Sequence, residues 1–210
     1  MIDELEYSLF CKKMNKIFEV DGPKEMRIVI GEAPFPDSEN LDGKCIGSDY
    51  PFKKIAFFRD KPAKGTTKRT VSRIWYLLFG KKSEQVRKIL PNSEEKYSEE
   101  KYLVKYLEEY HYFYFINVFS DKEKTEISHD FCTVCKMQEE MKLLIVGEKA
   151  ANKLQTKDKP NSYFIIHPAA RGKHIATTKC QWEDMNFVGN KKYSSSAEII
   201  SEFRLKLKNK

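Results

Sequence analysis

The chain has 210 residues and 24.7 kDa, with 40% hydrophobic and 13% aromatic residues, which fits one domain with a sizeable core and excludes a disordered chain. Its net charge of +7 and pI near 9.0 favour a polyanionic partner. No apolar run approaches the ~20 residues of a membrane helix, the acidic start Met1-Ile2-Asp3-Glu4-Leu5-Glu6 predicts no secretory leader, and five scattered cysteines predict reduced thiols in a cytoplasmic protein.

Between Glu4 and Val20 the apolar residues Leu5, Leu9, Phe10, Met14, Ile17 and Phe18 recur at helical spacing, and Asp21-Gly22-Pro23 stops the helix. Met26–Ile30 reads as a short buried strand. The stretch from Gly31 to about Lys68 is turn-rich and basic, and is expected to be a long functional loop. Thr70–Phe79 is a helix with Thr70 as its N-cap and Gly80 as its C-cap, and Pro91–Lys101 is a solvated loop. Ser98–Tyr110 is a second amphipathic helix, followed by a strand over Tyr112–Ile116 that ends at Asn117. A helix over Ser128–Met141 leads to a third strand, Lys142–Val146, then to a short helix over Glu148–Leu154. Ser162–Ile166 is the fourth strand, and Ser194–Leu207 closes the chain as a helix. Strands alternating with helices predict an α/β fold, a three-layer α/β/α sandwich around a four-stranded parallel sheet, with residues 1–210 forming a single domain.

Such sheets place their chemistry beyond the carboxyl ends of their strands, which singles out two loops. Gly31-Glu32-Ala33-Pro34-Phe35-Pro36 follows the first strand, with a glycine where backbone passes close to something and two prolines that fix the shape. Phe35 is either core or a pocket wall. His167-Pro168-Ala169-Ala170-Arg171-Gly172-Lys173-His174 follows the fourth, and its small, stiff, basic character suits approach to a phosphodiester backbone. A histidine at a strand end is often only a polar residue at the sheet margin; the apolar run before His167 favours a functional role. Asn117 either caps a turn or reads the edge of a base, since an amide offers both a donor and an acceptor. Between Lys53 and Lys88 stand 12 Lys or Arg against two acids, Asp60 and Glu84, a field of one sign suited to phosphates or else a solvated face. Cys132-Thr133-Val134-Cys135 has no second pair at suitable spacing, so no metal and no cofactor are expected.

These residues resemble the uracil-DNA glycosylase superfamily. In its best-known branch the first strand leads into GQDPYH and then a stretch ending in HGLCFS; Gly31 to Gly47 runs along it without a gap, with Gly31, Pro34, Gly43 and Cys45 identical. Glu32-Ala33-Pro34 matches the GEAP opening of the thermophile-type branch, Asn117 falls at the end of LLLN, and Leu144–Asn152 looks like LLWGxxA. His167-Pro168 matches HPSP, in the form HPAAR seen in the poxvirus branch. The likeness covers roughly residues 26 to 175, four elements in the family's order.

The resemblance implies hydrolysis of the N-glycosidic bond of uracil or a related deaminated base, extruded from the DNA stack into a pocket. It implies His167 as donor to the base's developing O2 charge, Asn117 at the base edge, and Phe35 as the wall at C5. Glu32, Ala33 and Ile46 complete the base-binding set. Arg171 stands at the wedge position, with Gly172, Lys173, His174, Lys64 and Lys68 toward DNA phosphates. Two departures accompany it. The family's water-activating Asp falls on Ala33, leaving Asp37 and Asp42 to position water, and its base-stacking Phe falls on Ile46, leaving Tyr50 or Phe52 to fill in. The expectation is a monomeric DNA glycosylase, with no membrane partner. The alternatives are an inactive relative acting as a nucleic-acid-binding module, or an enzyme acting on a free nucleoside or nucleotide.

Overall fold

A computed structural model of the chain describes residues 2–20, 25–33, 40–47, 49–59, 66–91, 99–137, 140–154 and 161–208. In chain order the elements are α1 (Glu4–Met14), β1 (Met26–Gly31), β2 (Asn40–Asp42), β3 (Lys54–Arg59), α2 (Thr66–Phe79), α3 (Ser83–Ile89) and α4 (Glu99–His111). There follow β4 (Phe113–Asn117), α5 (His129–Lys136), β5 (Met141–Val146), α6 (Glu148–Lys153), β6 (Ser162–Ile165), α7 (Ile175–Trp182) and α8 (Ser196–Phe203). Four strands form one parallel sheet in the order β4-β1-β5-β6, and β2 and β3 form a separate antiparallel hairpin.

The sheet is buried on both faces, as a parallel sheet must be. Val29, Phe113, Phe115, Leu144, Val146 and Ile165 point to one face, where α1, α2, α4, α7 and α8 contribute Phe10, Ile74, Trp75, Leu103, Trp182 and Phe203. Their alternating neighbours Ile28, Ile30, Tyr114, Ile116, Leu143 and Ile145 point to the other, covered by Phe131 and Val134 of α5 and Ala150 of α6. The fold is therefore the three-layer α/β/α sandwich that the alternation of elements predicts. Among the described residues no helix is long and apolar enough to cross a membrane.

Several element bounds differ from the periodicity. α1 stops at Met14 because Asn15 takes a hydrogen bond from the Tyr106 hydroxyl (2.8 Å) and Phe18 turns into the core, 5.5 Å from the Phe79 ring and paired with Leu207. α2 begins at Thr66, so Thr70 is a buried position within the helix and not its cap. The stretch expected to be a long loop holds the β2–β3 hairpin, since Ile55, Ala56, Phe57 and Phe58 are all buried. α5 ends at Lys136. α7, which periodicity does not show, forms because Trp182 is fully buried and its indole N–H donates to the Ile166 carbonyl (2.7 Å). Most of the Pro91–Lys101 loop, 92–98, lies outside the described residues.

The closing helix ties the two ends of the core together. Phe203 is fully buried, its ring 6.2 Å from Phe113 and 5.6 Å from Tyr163 at the amino ends of β4 and β6. Phe203→Ala removes a whole aromatic from a packed site and should cost about 3–5 kcal/mol. Urea unfolding followed by circular dichroism measures this, and an unchanged midpoint would contradict the packing described.

Candidate active site

The chain runs from β1 outward to β4 and then returns past β1 to β5, so the crevice between β1 and β5 is the topological switch point at which ligands of open α/β sheets bind. The carboxyl ends of the four strands line this edge, at Gly31, Asn117, Val146-Gly147 and Ile166-His167.

At the end of β1, Gly31 lies in register with Asn117. A Cβ on Gly31 would stand 2.9 Å from the Asn117 amide oxygen and 2.9 Å from the tip of the Phe57 ring. Real Cβ atoms do not approach so closely, so a side chain at this position would displace the Asn117 amide or the Phe57 ring. The β1–β4 pairing continues past the sheet, with Val118 N–H donating to Gly31 O and Phe119 N–H to Glu32 O, each at 3.0 Å. This fixes the direction in which Asn117 leaves the strand. Asn117 is 5% exposed, and its Nδ2 has no hydrogen-bond partner among the described residues. A buried amide donor left without an acceptor costs about 1–3 kcal/mol, a cost that a ligand carbonyl would remove.

Phe57 is a residue that the sequence reading missed. It is buried, it presses on Gly31 beside the Asn117 amide, and its φ of +66° is one a bulky side chain rarely adopts. Ile46, expected in the base-binding set, is instead buried core at the end of a 3-10 turn. The Tyr50 and Phe52 rings pack against each other and against Tyr114, at 5.5 to 6.4 Å. Geometry thus gives Phe57 the aromatic place next to Asn117, for which the only sequence signal was the apolar run Ile55–Phe58 inside a basic stretch.

Across the crevice, Gly147 has φ +96°, and a Cβ there would lie 3.3 Å from His167 Cβ and 3.6 Å from its Cδ2. Its N–H donates to Ile165 O at 2.8 Å. His167 is half-buried, and the Ala169 N–H donates to its Nδ1 (3.1 Å). That bond assigns the proton of the neutral ring to Nε2, leaving an Nε2–H donor. Burial pushes the imidazole pKa below its ordinary value; the Glu32 carboxylate opposes this and Lys124 adds to it. The loop is braced from behind. The Ile166 N–H donates to the Gln181 side chain (2.9 Å), and Arg73 of α2 bonds the Pro168 carbonyl and pairs with Glu183.

Glu32 and Ala33 are both half-buried. The Glu32 carboxylate takes the Lys124 ammonium at 2.6 Å and that of Lys149 at 3.6 Å. Asp42 is exposed, and its carboxylate accepts the Lys44 N–H at 2.9 Å as the cap of the 3-10 turn. Phe35, Asp37 and Lys64 lie outside the described residues, as does the Lys68 side chain. Arg171 and Lys173 are exposed and His174 is half-buried, around a 3-10 turn whose Gly172 has φ +64°. Arg73 is spent on the His167 loop, while Lys81, Lys82, Arg87 and Lys88 follow the carboxyl end of α2. There Leu205 N–H bonds Leu78 O, next to Phe203 and the amino ends of the strands.

A cavity of about 410 Å³ opens beside Asn117, lined by Phe119, Lys53, Lys54 and the start of α5. Another of about 380 Å³ lies on the far side of Gly147, against Phe164 and Tyr193. Neither is lined by His167, and the His167 and Asn117 backbones stand three strand spacings, about 14 Å, apart. Cys132 and Cys135 are exposed on α5, and among the described residues no three metal-ligating side chains converge.

The His167 environment sets a pH dependence. Its folded-state pKa lies below the ordinary 6.5, so as pH falls the unfolded chain takes up the proton first. Its contribution to stability is complete above about 6.5 and is lost as the medium is acidified below that value. Thermal unfolding over this window should show a steeper acid loss for the wild type than for His167→Ala; parallel curves would contradict a buried neutral imidazole. Comparison of the chain with protein-family models, with curated proteins and with solved structures returned no match.

Proposed function

We propose that the protein is a DNA glycosylase, hydrolysing the N-glycosidic bond of uracil or a related deaminated base in the first step of base-excision repair, and that it acts as a cytoplasmic monomer. The observation that carries this reading is Asn117, a buried amide at the carboxyl edge of the sheet whose N–H donor has no partner among the described residues. The edge of uracil offers a carbonyl for that N–H and an N–H for the amide oxygen. Cytosine presents an amino group where uracil has the carbonyl, so the same amide would reject it.

The remaining roles follow from position. Phe57 stacks on the base beside Asn117, and the neutral His167 donates from Nε2 to the oxygen that gains charge as the bond breaks. A preorganised donor of this kind is typically worth ~3 kcal/mol at a developing oxyanion. A neutral ring suits the task, since the base leaves as an anion and the donor need not surrender its proton. Arg171, exposed at the tip of the loop, enters the space of the extruded nucleotide and stacks through its guanidinium plane. Lys173 and His174, with Lys64 and Lys68, take flanking phosphates. Extrusion costs a few kcal/mol, least for mispaired or single-stranded bases.

One observation favours a second reading. Ala33 carries no carboxylate, and the Asp42 carboxylate is engaged as the cap of the 3-10 turn. A binding module that keeps the pocket without turnover is the alternative. Incubating wild type, His167→Ala and Asn117→Ala with uracil-containing single- and double-stranded oligonucleotides, followed by alkaline cleavage of abasic sites, separates the two. Excision by the wild type should fall about a hundredfold in His167→Ala, the loss expected for a missing oxyanion donor. Equal background for all three proteins on uracil, hypoxanthine and xanthine would end the enzyme reading.

A further inference from the structure

We propose that Lys124 and Lys149 form a clamp for one phosphodiester of the bound strand, with the Glu32 carboxylate holding both ammoniums in place. That the strand is DNA rests on the reading above. Both lysines meet the same Glu32 oxygen, at 2.6 Å and 3.6 Å. Two cations on one carboxylate leave the cluster one anion short. The Glu32 side chain is only 18% exposed, whereas that of Lys149 is 68% exposed, so the surplus positive charge faces solvent.

The two lysines come from separate elements that the fold presses together. Lys124 sits in the loop between β4 and α5, which is closed at its base by Phe119 pairing with Ile127 and by the Ser128 N–H bond to Val118 O (2.8 Å). Asp121 shapes the loop tip by accepting the backbone N–H groups of Thr125 and Glu126. Lys149 lies in the first turn of α6, and the Lys153 ammonium of that helix stands 5.9 Å from the centre of the Phe119 ring. Between the lysines runs the carboxyl end of β1, and Gly147, which opens α6, is the neighbour of His167. An anion held there lies at the rim of the crevice. A phosphodiester fits best, because its two unesterified oxygens accept from both ammoniums at once, and its single charge brings the cluster to neutrality.

The test is binding of a short uracil-free single-stranded oligonucleotide, read by fluorescence anisotropy over a series of salt concentrations. Lys124→Ala and Lys149→Ala should each weaken binding several-fold and reduce the salt slope by about one. Lys88→Ala, an exposed cation near the amino ends of the strands, is the control and should change neither quantity. Unchanged affinity and slope in both lysine variants, or an equal loss in Lys88→Ala, would each overturn the clamp. Lys149 is exposed on a helix surface, so its variant keeps the test valid even if Lys124→Ala disturbs its loop. Because the probe holds no uracil, the result stands apart from the excision assay: a glycosylase without this clamp, and a clamp without excision, give different outcomes in the two experiments.

Discussion

The missing side chain at Gly31 is the constraint on which the carboxyl edge of this sheet depends. The Asn117 amide and the Phe57 ring both occupy the volume that a Cβ would fill, each 2.9 Å from its place. A parallel sheet usually spreads its strand-end residues about 4.8 Å apart. Here the absence of one carbon lets side chains from two neighbouring elements close over the end of β1. The approach is possible because β1 and β4 keep exchanging hydrogen bonds past the last ladder pair, through Gly31 O and Glu32 O. Phe57 accepts an unfavourable φ to reach the same spot, and its burial in the hairpin supplies the contacts that hold it there.

A second glycine serves the opposite side. Gly147 leaves β5 in a backbone conformation closed to most residues and leaves room for the His167 ring. The imidazole is then fixed from three directions, by Ala169 at Nδ1, by the Gln181 bond behind Ile166, and by Arg73 at Pro168. Arg73 shows how the context of a charge decides its use. Its sequence neighbours suggest a residue for phosphates, yet its guanidinium is largely buried, satisfied by a carbonyl and a carboxylate, and positions the loop. Charge counting over a stretch of chain cannot separate such a cation from one that meets a ligand.

The layers and the parallel sheet were legible in the sequence because each strand is a short apolar run, rich in β-branched and aromatic residues, between turn signals. His167 and Asn117 were legible for the same reason, as the first polar residues after such runs. The β2–β3 hairpin was not, since its apolar core Ile55–Phe58 sits inside a basic stretch whose charge dominates any window. α7 was also hidden. Its sequence Ile-Ala-Thr-Thr-Lys-Cys-Gln-Trp has no apolar stripe, and tertiary bonds from Gln181 and Trp182 to the strand beside it settle its place. Ile46 misled because a gapless reading from Gly31 counts residues along a hairpin, whereas contact depends on which strand folds back. Eleven residues further on, Phe57 is the one that returns to Gly31.

On the proposed reading, the lost carboxylate at position 33 and the surviving donors act at different moments. Breaking a glycosidic bond puts negative charge on the departing base and positive charge on the sugar, and water attacks a centre that is already electron-poor. The larger share of such catalysis comes from fixed dipoles aimed at the growing charge, because they need no reorganisation as it appears. His167 and Asn117 are fixed in this sense, one by its backbone bonds and the other by burial. A general base contributes to the later event, where the electrophile is most reactive and a weak nucleophile suffices. A site that keeps rigid donors and gives up its base therefore loses the less demanding half of the reaction, and a methyl group at Ala33, packed against the sheet's α5 face, is compatible with slow hydrolysis.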